Sequence, residues 1–312
     1  MRIKIILLCV VLFFTSCIKE VDFNVGDVPQ KLVVNSVITV YQPIEVNVSG
    51  LQSILDTSQL FIDNATVIVC EEGGDTDTLS YLSNGNYKSN IYGEPGKVYR
   101  LTVQATGYPT AFACDTIPVR INIKNASERK SATVDEDGTP HKDLTVTFFR
   151  SAEKTNYYEL FFVEQDADII DSTTYYYFNF TSDAVSIDPI ILASGITDYS
   201  YATFLFNDAN IAAEEYTIAM KMHGYISAGG GGYTKPIITL QDNIHAAVLR
   251  TVSKAYYDYR NSWDKHQRFK NDSTKVEDII YVPLIGEPQE MFSNIENGLG
   301  IFVAYNQDFF TL

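Results

Sequence analysis

Short segments in which apolar and polar residues alternate, separated at regular intervals by turn residues, constrain the fold of this chain most strongly. Alternation with a period of two is typical of strands that bury one face, and it is clearest at residues 32–38 and 44–48. Turns at residues 84–87 and 93–96 separate further strands of this kind. Since the chain also has 21 Tyr and 18 Phe, residues that suit strands, the sequence predicts a mostly β protein.

Residues 30–120 contain about seven such strands, which is typical of a small β-sandwich. We therefore expect an N-terminal Ig-like or transthyretin-like β-sandwich in this part of the chain. A charged stretch near residues 121–130 is the expected boundary. Residues 121–312 are expected to form a second, β-rich, sandwich-like domain.

One amphipathic helix is predicted within this second domain, near residues 242–266. Apolar side chains recur there at steps of three and four residues, from Ile244 to Trp263, which is the spacing of one helix face. Asp242 precedes the stripe and is suited to cap the first turn by accepting backbone N–H bonds.

The first sixteen residues have the three parts of an export signal. Arg2 and Lys4 form a positive start, and the apolar run over residues 5–14 is too short to span a bilayer as a helix. The run ends in Phe14-Thr15-Ser16-Cys17, which looks like a bacterial lipobox. We expect residues 1–16 to be removed and Cys17 to carry the lipid. The alternative is an ordinary secretory signal with a cysteine at the cleavage point by chance.

Residues 17–29 show no periodicity and are predicted to be a tether between the lipid and the first domain. The residue after Cys17 is Ile18 rather than Asp, so the usual inner-membrane retention signal is absent. We therefore expect an outer-membrane lipoprotein. Exposure at the cell surface is favoured over a periplasm-facing position, and the sequence leaves both open.

The charge of the chain limits its partners. Removal of residues 1–16 takes away two basic residues and no acidic one, so the net charge changes from −16 to −18. Binding to nucleic acid depends on Lys and Arg that neutralise phosphates, so nucleic acid is not expected as a partner. The same charge argues against adhesion to anionic head groups.

Two cysteines remain after Cys9 leaves with the signal and Cys17 is acylated. Cys70 and Cys114 form an even pair in an oxidising compartment, so a disulfide between them is possible. The alternative is two buried free thiols on different strands, because free cysteine is among the most buried residue types.

Templates for catalysis and metal binding are not met. The four histidines are widely spaced, and neither a Gly-x-Ser-x-Gly elbow nor a His-Glu-x-x-His motif occurs. Carboxylates at residues 75–77 and 135–137 could offer oxygens to Ca²⁺, but they lack EF-hand spacing and are more typical of solvated turns. We therefore predict no enzyme, no catalytic residue, no metal and no cofactor.

Two segments are candidates for a recognition surface. Tyr175 and Tyr177 belong to an aromatic strand that can present rings on one face, although packing in a core is the simpler interpretation. Gly230, Gly231 and Tyr233 belong to a glycine-rich segment that suits either a flexible loop or a recognition loop. The ligand itself is not predicted.

Several motifs resemble those of one large family of Bacteroidetes lipoproteins, known as domain of unknown function forty-two forty-nine. The most specific block is Ser293-Asn294-Ile295-Glu296-Asn297-Gly298-Leu299-Gly300-Ile301-Phe302, with Tyr256-Tyr257-Asp258-Tyr259 before it. The opening strand at residues 31–39 and the segment 85–101 are similar to the family's first domain, itself like carboxypeptidase-regulatory modules. The resemblance implies an outer-membrane companion of a TonB-dependent transporter, and no catalytic residue is carried over.

We therefore expect a non-enzymatic accessory or substrate-capture partner of a TonB-dependent transporter, held to the membrane by its lipid. The alternative is a surface structural or adhesive module that binds glycan or protein.

Overall fold

The computed structural model describes residues 29–53, 56, 58–134, 140–150, 154–170, 173–180, 184–194, 197–198, 203–223, 225–227, 237–239, 244–272 and 290–312. The first part of the chain contains strands β1 (Leu32–Ile38), β2 (Pro43–Gly50), β3 (Thr66–Glu71), β4 (Thr76–Thr78), β5 (Ser80–Ser83), β6 (Asn86–Tyr92), β7 (Val98–Gln104) and β8 (Ala111–Thr116). The mostly β fold is confirmed.

The second part has strands β9 (Ile123–Val134), β10 (Pro140–Phe149), β11 (Tyr157–Ile170), β12 (Thr173–Phe180), β13 (Ala184–Ser186), β14 (Thr197–Asp198), β15 (Thr203–Asn207), β16 (Glu215–His223), β17 (Tyr225–Ser227), β18 (Ile237–Thr239), β19 (Ile244–Val252) and β20 (Leu299–Thr311). Its helices, within the described residues, are the short α1 (Pro189–Ser194) and the long α2 (Lys254–Asp272).

The first sandwich packs the strands β20-β1-β2-β6-β5 against the sheet β4-β3-β7-β8. Alternate residues of β1 and β2 are buried between the two layers, as the period of two predicts. Tyr87 lies in this core, and its hydroxyl donates to the Ile62 carbonyl at 2.9 Å and accepts from the Ala65 N–H at 2.9 Å. A buried phenol is thus fully hydrogen-bonded at the centre of the sandwich.

The second sandwich packs β14-β15-β11-β19-β20, with β12 also paired to β11, against the sheet β13-β16-β10-β9. Its core is aromatic: Phe148, Tyr158 and Phe206 have ring centroids 5.0–6.1 Å apart. Rings at these separations attract one another, and this attraction adds to the stabilisation that comes from burying their apolar surface. Helix α2 covers the outer face of the sheet that contains β11, β19 and β20, where Tyr256 and Tyr257 pack with Ile301 and Val303.

Strand β20 belongs to both sandwiches. Its residues 299–304 pair in parallel with β1, and its residues 305–311 pair antiparallel with β19. One sheet therefore runs without interruption through both parts of the molecule. Phe302 and Ala304 lie in the first core and Phe310 packs against the second, so the last strand crosses the boundary expected near residue 120.

The turn into β20 depends on glycines that approach backbone closely. A Cβ on Gly300 would lie 2.1 Å from the Val34 carbonyl oxygen, and the φ of Gly300 is +104°. The side-chain amide of Asn294 donates to the Phe302 carbonyl at 2.7 Å and accepts from its N–H at 2.9 Å, as a neighbouring strand would. The segment 293–302 thus places β20 beside β1.

The helix predicted near residues 242–266 is wrong in its first half. Residues 244–252 form β19, and α2 begins at Lys254. Strand β19 lies between β11 and β20 with both faces covered, so Ala246 to Leu249 are all buried. A continuous apolar run of this kind matches the three- and four-residue spacing of a helix face as well as it matches a buried strand. Ser253, rather than Asp242, caps α2 by accepting the Tyr256 N–H at 3.1 Å. Asp242 lies outside the described residues.

The linker between the sandwiches is bound to β19 and β20 by side chains. Thr251 accepts from the Ile121 N–H at 2.9 Å, Asp308 accepts from the Ile123 N–H at 2.9 Å, and the Asn306 amide donates to the Pro118 carbonyl at 3.1 Å. A linker whose backbone is bonded in this way is part of the fold rather than a hinge.

Candidate functional site

The residues proposed for recognition lie at one end of the second sandwich or outside the described residues. Tyr175 and Tyr177 belong to β12, where they stand opposite Asp168 and Asp166 of β11. Gly230, Gly231 and Tyr233 lie outside the described residues, in the chain between β17 and β18. The structure therefore gives the backbone position of the first pair and does not test the second group.

The β11–β12 hairpin extends past the end of the sheet that carries it. Strand β11 pairs with β19 only as far as Glu164, whereas its pairing with β12 continues to Ile170. The β11–β12 hairpin therefore leaves the second sandwich at the end away from the linker, which is bound to Thr251 at the other end of β19.

The described chain begins at the opposite end of the molecule. Residue 29 precedes β1, which starts beside the start of β20. Strand β20 has 13 residues, and at a rise of ~3.3 Å per residue it spans about 40 Å. The start of β1 is separated from the β11–β12 hairpin by about the length of this strand.

The disulfide considered between Cys70 and Cys114 does not form in this structure, because both thiols are free. Cys70 and Cys114 stand opposite Arg100 on the two sides of β7, so two strand spacings of ~4.8 Å separate them. Bridged cysteines need Cα atoms within ~7 Å. The alternative of two buried thiols does not hold either, since Cys114 is exposed. Cys17 lies outside the described residues.

The acidic turn at residues 75–77 has a structural role. Asp77 accepts from the Ser89 hydroxyl at 2.8 Å and from the Asn90 N–H at 2.6 Å, and these bonds lower its pKa. They connect β4 to β6, which belongs to the other layer of the sandwich. Within the described residues, no group of three His, Cys, Asp or Glu side chains is placed to hold a metal ion. Residues 135–137 lie outside the described residues.

A buried ionic cluster under α2 was missed in the sequence. Glu159 of β11 is 1% exposed and accepts from Arg250 at 2.9 Å and from the Tyr256 hydroxyl at 2.8 Å, and its other oxygen lies 3.2 Å from Arg260. The Arg250 guanidinium also lies 4.5 Å from the centre of the Tyr305 ring. A charge inside the apolar run 157–163 is the signal that could have revealed this cluster.

Burial alone would lower the pKa of Arg250, but the charge of Glu159 outweighs burial and raises it. Burial raises the pKa of Tyr256, and the Glu159 charge adds to that rise. Arg250 and Tyr256 therefore keep their protons, and the cluster joins β11, β19 and α2 through ion pairs and hydrogen bonds. Arg260 extends it to β15 by donating to the Thr203 hydroxyl at 2.9 Å.

A half-buried carboxyl lies between the two sandwiches. Asp115, at the end of β8, accepts from the Ser253 hydroxyl at 2.5 Å and from the Thr116 N–H at 2.8 Å. Burial raises its pKa to about 6, although both hydrogen bonds oppose the rise. Ser253 also caps α2, so this contact connects the first sandwich to the start of the helix.

The raised pKa of Asp115 predicts a pH dependence of stability. Because its pKa is higher folded than the ordinary value of 3.8, the fold favours the protonated form, and the free energy of unfolding should rise by up to ~3 kcal/mol as pH falls from 7 to 4. The lowered pKa of Asp77 changes the free energy of unfolding only below about pH 4. Urea unfolding at pH 7 and pH 5 measures the effect. In Asp115→Asn, most of the difference in the free energy of unfolding between pH 7 and pH 5 should vanish. An unchanged difference would show that Asp115 is not the group responsible.

A groove opens where the two sandwiches meet, beside the middle of β20. Its volume is about 590 Å³, which is in the range of a small-ligand site. Its walls are formed by Val40, Tyr41, Pro95, Val119, Arg120, Asn122, Asn306, Gln307 and Phe309. Tyr41 and Phe309 are 78% and 67% exposed, so two large apolar side chains stand in solvent at its border. No sequence pattern predicts this groove, because its lining residues come from four separated segments.

A family model described as Domain of unknown function (DUF4249) matches residues 18–310. The chain belongs to this family. No curated protein matches the chain. In this member, the block 293–302 that carried the resemblance forms the turn into β20, so the most specific family signal belongs to the strand that both sandwiches share. Within the described residues, neither helix is long and apolar enough to cross a membrane.

Proposed function

We propose that the chain is an outer-membrane-anchored, non-enzymatic lipoprotein that serves as an accessory or substrate-capture partner of a TonB-dependent transporter. The observation that supports this proposal is that the start of β1 and the projecting β11–β12 hairpin lie at opposite ends of two sandwiches joined by β20. Such a molecule suits a spacer that holds a binding surface away from its anchor.

The dimensions support this role. A tether of about twelve residues after Cys17 can extend to ~40 Å, and β20 adds a further ~40 Å. The second sandwich then reaches past the head groups to the height at which the loops of a membrane-embedded transporter emerge. The linker bonds of Thr251 and Asp308 keep the two sandwiches in a fixed relation, so the reach is not lost to bending.

The use of buried charges also favours binding over catalysis. Asp208 is fully buried, and its oxygens accept from the Asn156 N–H at 2.8 Å and the Tyr158 hydroxyl at 2.9 Å. Glu159 has three partners of its own. These carboxylates are saturated by structural neighbours, which leaves little of them for chemistry on a substrate.

Replacement of Cys17 by Ala tests the anchor. We expect the wild-type protein to sediment with outer membranes and to incorporate labelled palmitate, and the variant to lose both because the acylated sulfur is missing. Cys114→Ala, which removes an exposed thiol elsewhere, is the matched control and should behave as wild type. Palmitate on the Cys17→Ala protein would contradict the anchor.

Affinity purification of tagged protein from detergent-solubilised outer membranes tests the partner. We expect a TonB-dependent transporter to copurify with the wild type and to be depleted with Cys17→Ala, whose local concentration at the membrane is lower. Purification of the anchored protein without any transporter would contradict the accessory role.

A structural or adhesive module is the second candidate. The β11–β12 hairpin favours it, because the register pairs Tyr175 and Tyr177 of β12 with Asp168 and Asp166 of β11. Aromatic residues beside hydrogen-bonding residues are typical of surfaces that bind sugar or protein. A deletion strain with normal nutrient uptake and altered attachment would support this candidate over the first.

A further inference from the structure

The segment that leads into β1 is bonded to the loop that follows β2. The Lys31 carbonyl accepts from the Leu51 N–H at 2.9 Å, and the Gly50 N–H donates to the Leu60 carbonyl at 2.8 Å. The three segments lie side by side as neighbouring strands do, so two strand spacings of ~4.8 Å separate Leu60 from the chain that enters the first sandwich. The entering chain and the loop therefore occupy the same end of this sandwich.

We call this end of the first sandwich the entry end. Besides the loop after β2, it includes the turn 84–85 between β5 and β6 and the loop 105–110 between β7 and β8. The Val48 N–H donates to the Gly85 carbonyl at 2.8 Å. The Tyr108 hydroxyl lies 2.6 Å from the position that a Cβ on Gly50 would take. The turn and the loop are thus held against the end of β2.

Three large apolar side chains stand in solvent at the entry end. Leu60, Phe61 and Leu82 are 43%, 36% and 54% exposed. The Phe61 ring reaches the hairpin that carries Leu82, since it lies 3.2 Å from the position of a Cβ on Gly85. We call these three side chains the apolar patch. Neighbouring exposed apolar side chains on a folded surface are typical of a contact with another molecule or with a membrane.

The side-chain amide of Gln52 fixes the loop that carries Leu60. It accepts from the Leu60 N–H at 2.6 Å and donates to the Ser58 carbonyl at 2.6 Å. Leu60 is therefore held in its exposed position by hydrogen bonds of its own loop. A surface that is already ordered loses less conformational entropy when it binds.

The two ends of the first sandwich differ in charge. The turn at residues 71–77, at the other end, contains four carboxylates. At the entry end, the turn 84–85 and the loop 105–110 have no charged residue, and the described residues from 50 to 62 include only Asp56. The charged residues that adjoin these segments are of both signs: Lys31, Asp63 and Glu296. Because a bilayer penalises the burial of charge, it accepts the entry end more readily than the acidic one.

The proposed lipid on Cys17 brings a bilayer to the entry end. About twelve residues separate Cys17 from residue 29, and a chain of this length spans at most ~40 Å. A surface held this close to a bilayer meets it at a high effective concentration, so a weak apolar contact suffices. The negative net charge of the chain opposes anionic head groups, so the contact depends on apolar side chains rather than on Lys and Arg.

We propose that the entry end contacts the bilayer, with Leu60, Phe61 and Leu82 in the boundary between the head groups and the acyl chains. The inference deepens the proposed function and rests on it for the lipid on Cys17. Strand β20 starts at the entry end, so it carries the second sandwich away from the membrane. The ~40 Å length of β20, rather than the length of the tether, then sets the height of the β11–β12 hairpin.

Quenching by brominated lipids tests this on the full lipidated chain in phosphatidylcholine vesicles. A nitrobenzoxadiazole label is attached at Ser58→Cys in the loop after β2 or at Asp75→Cys at the other end, with Cys70 and Cys114 replaced by Ser. Lipids brominated on their acyl chains should quench the label at position 58 at least about threefold more than the label at position 75. Equal quenching at the two positions would overturn the inference, and this comparison leaves the apolar patch unchanged.

Substitutions locate the contact. Leu60→Ser combined with Leu82→Ser removes two side chains of the apolar patch and should lower quenching at position 58 about threefold or more. Leu192→Ser is the matched control, because Leu192 is 54% exposed like Leu82 but belongs to α1 of the second sandwich. It should leave quenching as in the wild type. Equal effects of the control and the double variant would contradict a contact through the apolar patch.

Palmitate labelling distinguishes failure of the inference from failure of the anchor. A chain that carries palmitate and sediments with membranes, but whose label at position 58 is not quenched, keeps its anchor and overturns the inference. A chain without palmitate contradicts the anchor and the inference together. Dimerisation through Leu60 and Leu82, or loss of transporter copurification in the double variant with unchanged quenching, would also overturn the inference, because it assigns the apolar patch to a protein partner.

Discussion

Glu159→Gln is expected to lower the free energy of unfolding by about 3–5 kcal/mol, because it leaves Arg250 and Arg260 partly buried without their counter-charge. The variant keeps the shape of the side chain, so the loss reports charge rather than a cavity. Tyr256 loses a charged acceptor at the same time. Helix α2 should loosen first, since Tyr256 and Arg260, two of the three partners of Glu159, belong to it.

Urea unfolding followed by the fluorescence of Trp263 measures this effect, because the chain has a single Trp and it lies on α2. Asp258→Asn is the matched control. Its ion pair with Lys254 is on the surface of the same helix, so the expected change is below ~1 kcal/mol. If Glu159→Gln and Asp258→Asn lower the free energy of unfolding by the same small amount, the cluster does not stabilise the packing of α2.

Gly300→Ala is expected to lower the free energy of unfolding by about 2–5 kcal/mol. The new Cβ would lie 2.1 Å from the Val34 carbonyl oxygen, and a φ of +104° is unfavourable for alanine. To relieve the contact, β20 must move away from β1. Since β20 also pairs with β19, the disturbance should reach the second sandwich.

Gly73→Ala separates the two causes of this loss. Gly73 has a φ of +74°, and nothing lies within 4 Å of its added Cβ, so only the backbone cost of ~1–2 kcal/mol applies. The difference between the variants is the cost of separating β20 from β1. Hydrogen exchange should show faster exchange in both β1 and β19 of Gly300→Ala, and equal stability of the two variants would contradict the close packing at Gly300.

The strands of the first sandwich could be predicted from the sequence, because each buries one face and its alternation is visible. Strand β19 could not, since both of its faces are covered and nothing in the run from Ala246 to Leu249 distinguishes a buried strand from a buried helix. The parallel pairing of β20 with β1 joins residues more than 260 positions apart. Local patterns carry no information on such a pairing.

The candidate sites were predicted less well, for a physical reason. A disulfide was considered because Cys70 and Cys114 are an even pair of cysteines, but the order of the strands places β7 between them. The groove beside β20 depends on where β1 stops, and the sequence does not fix the relative lengths of the two strands. The Asp115–Ser253 contact likewise depends on how the two sandwiches meet.

The central claim is that β20 holds the two sandwiches as one rigid body. Spin labels at Ser80 of β5 and Lys130 of β9, with Cys70 and Cys114 replaced by Ser and Cys17 by Ala, report the distance between the sandwiches by pulsed electron spin resonance. A single narrow distance distribution is expected, as wide as that of two labels within one sandwich. A broad or two-peaked distribution would show that the sandwiches move independently and would contradict the claim.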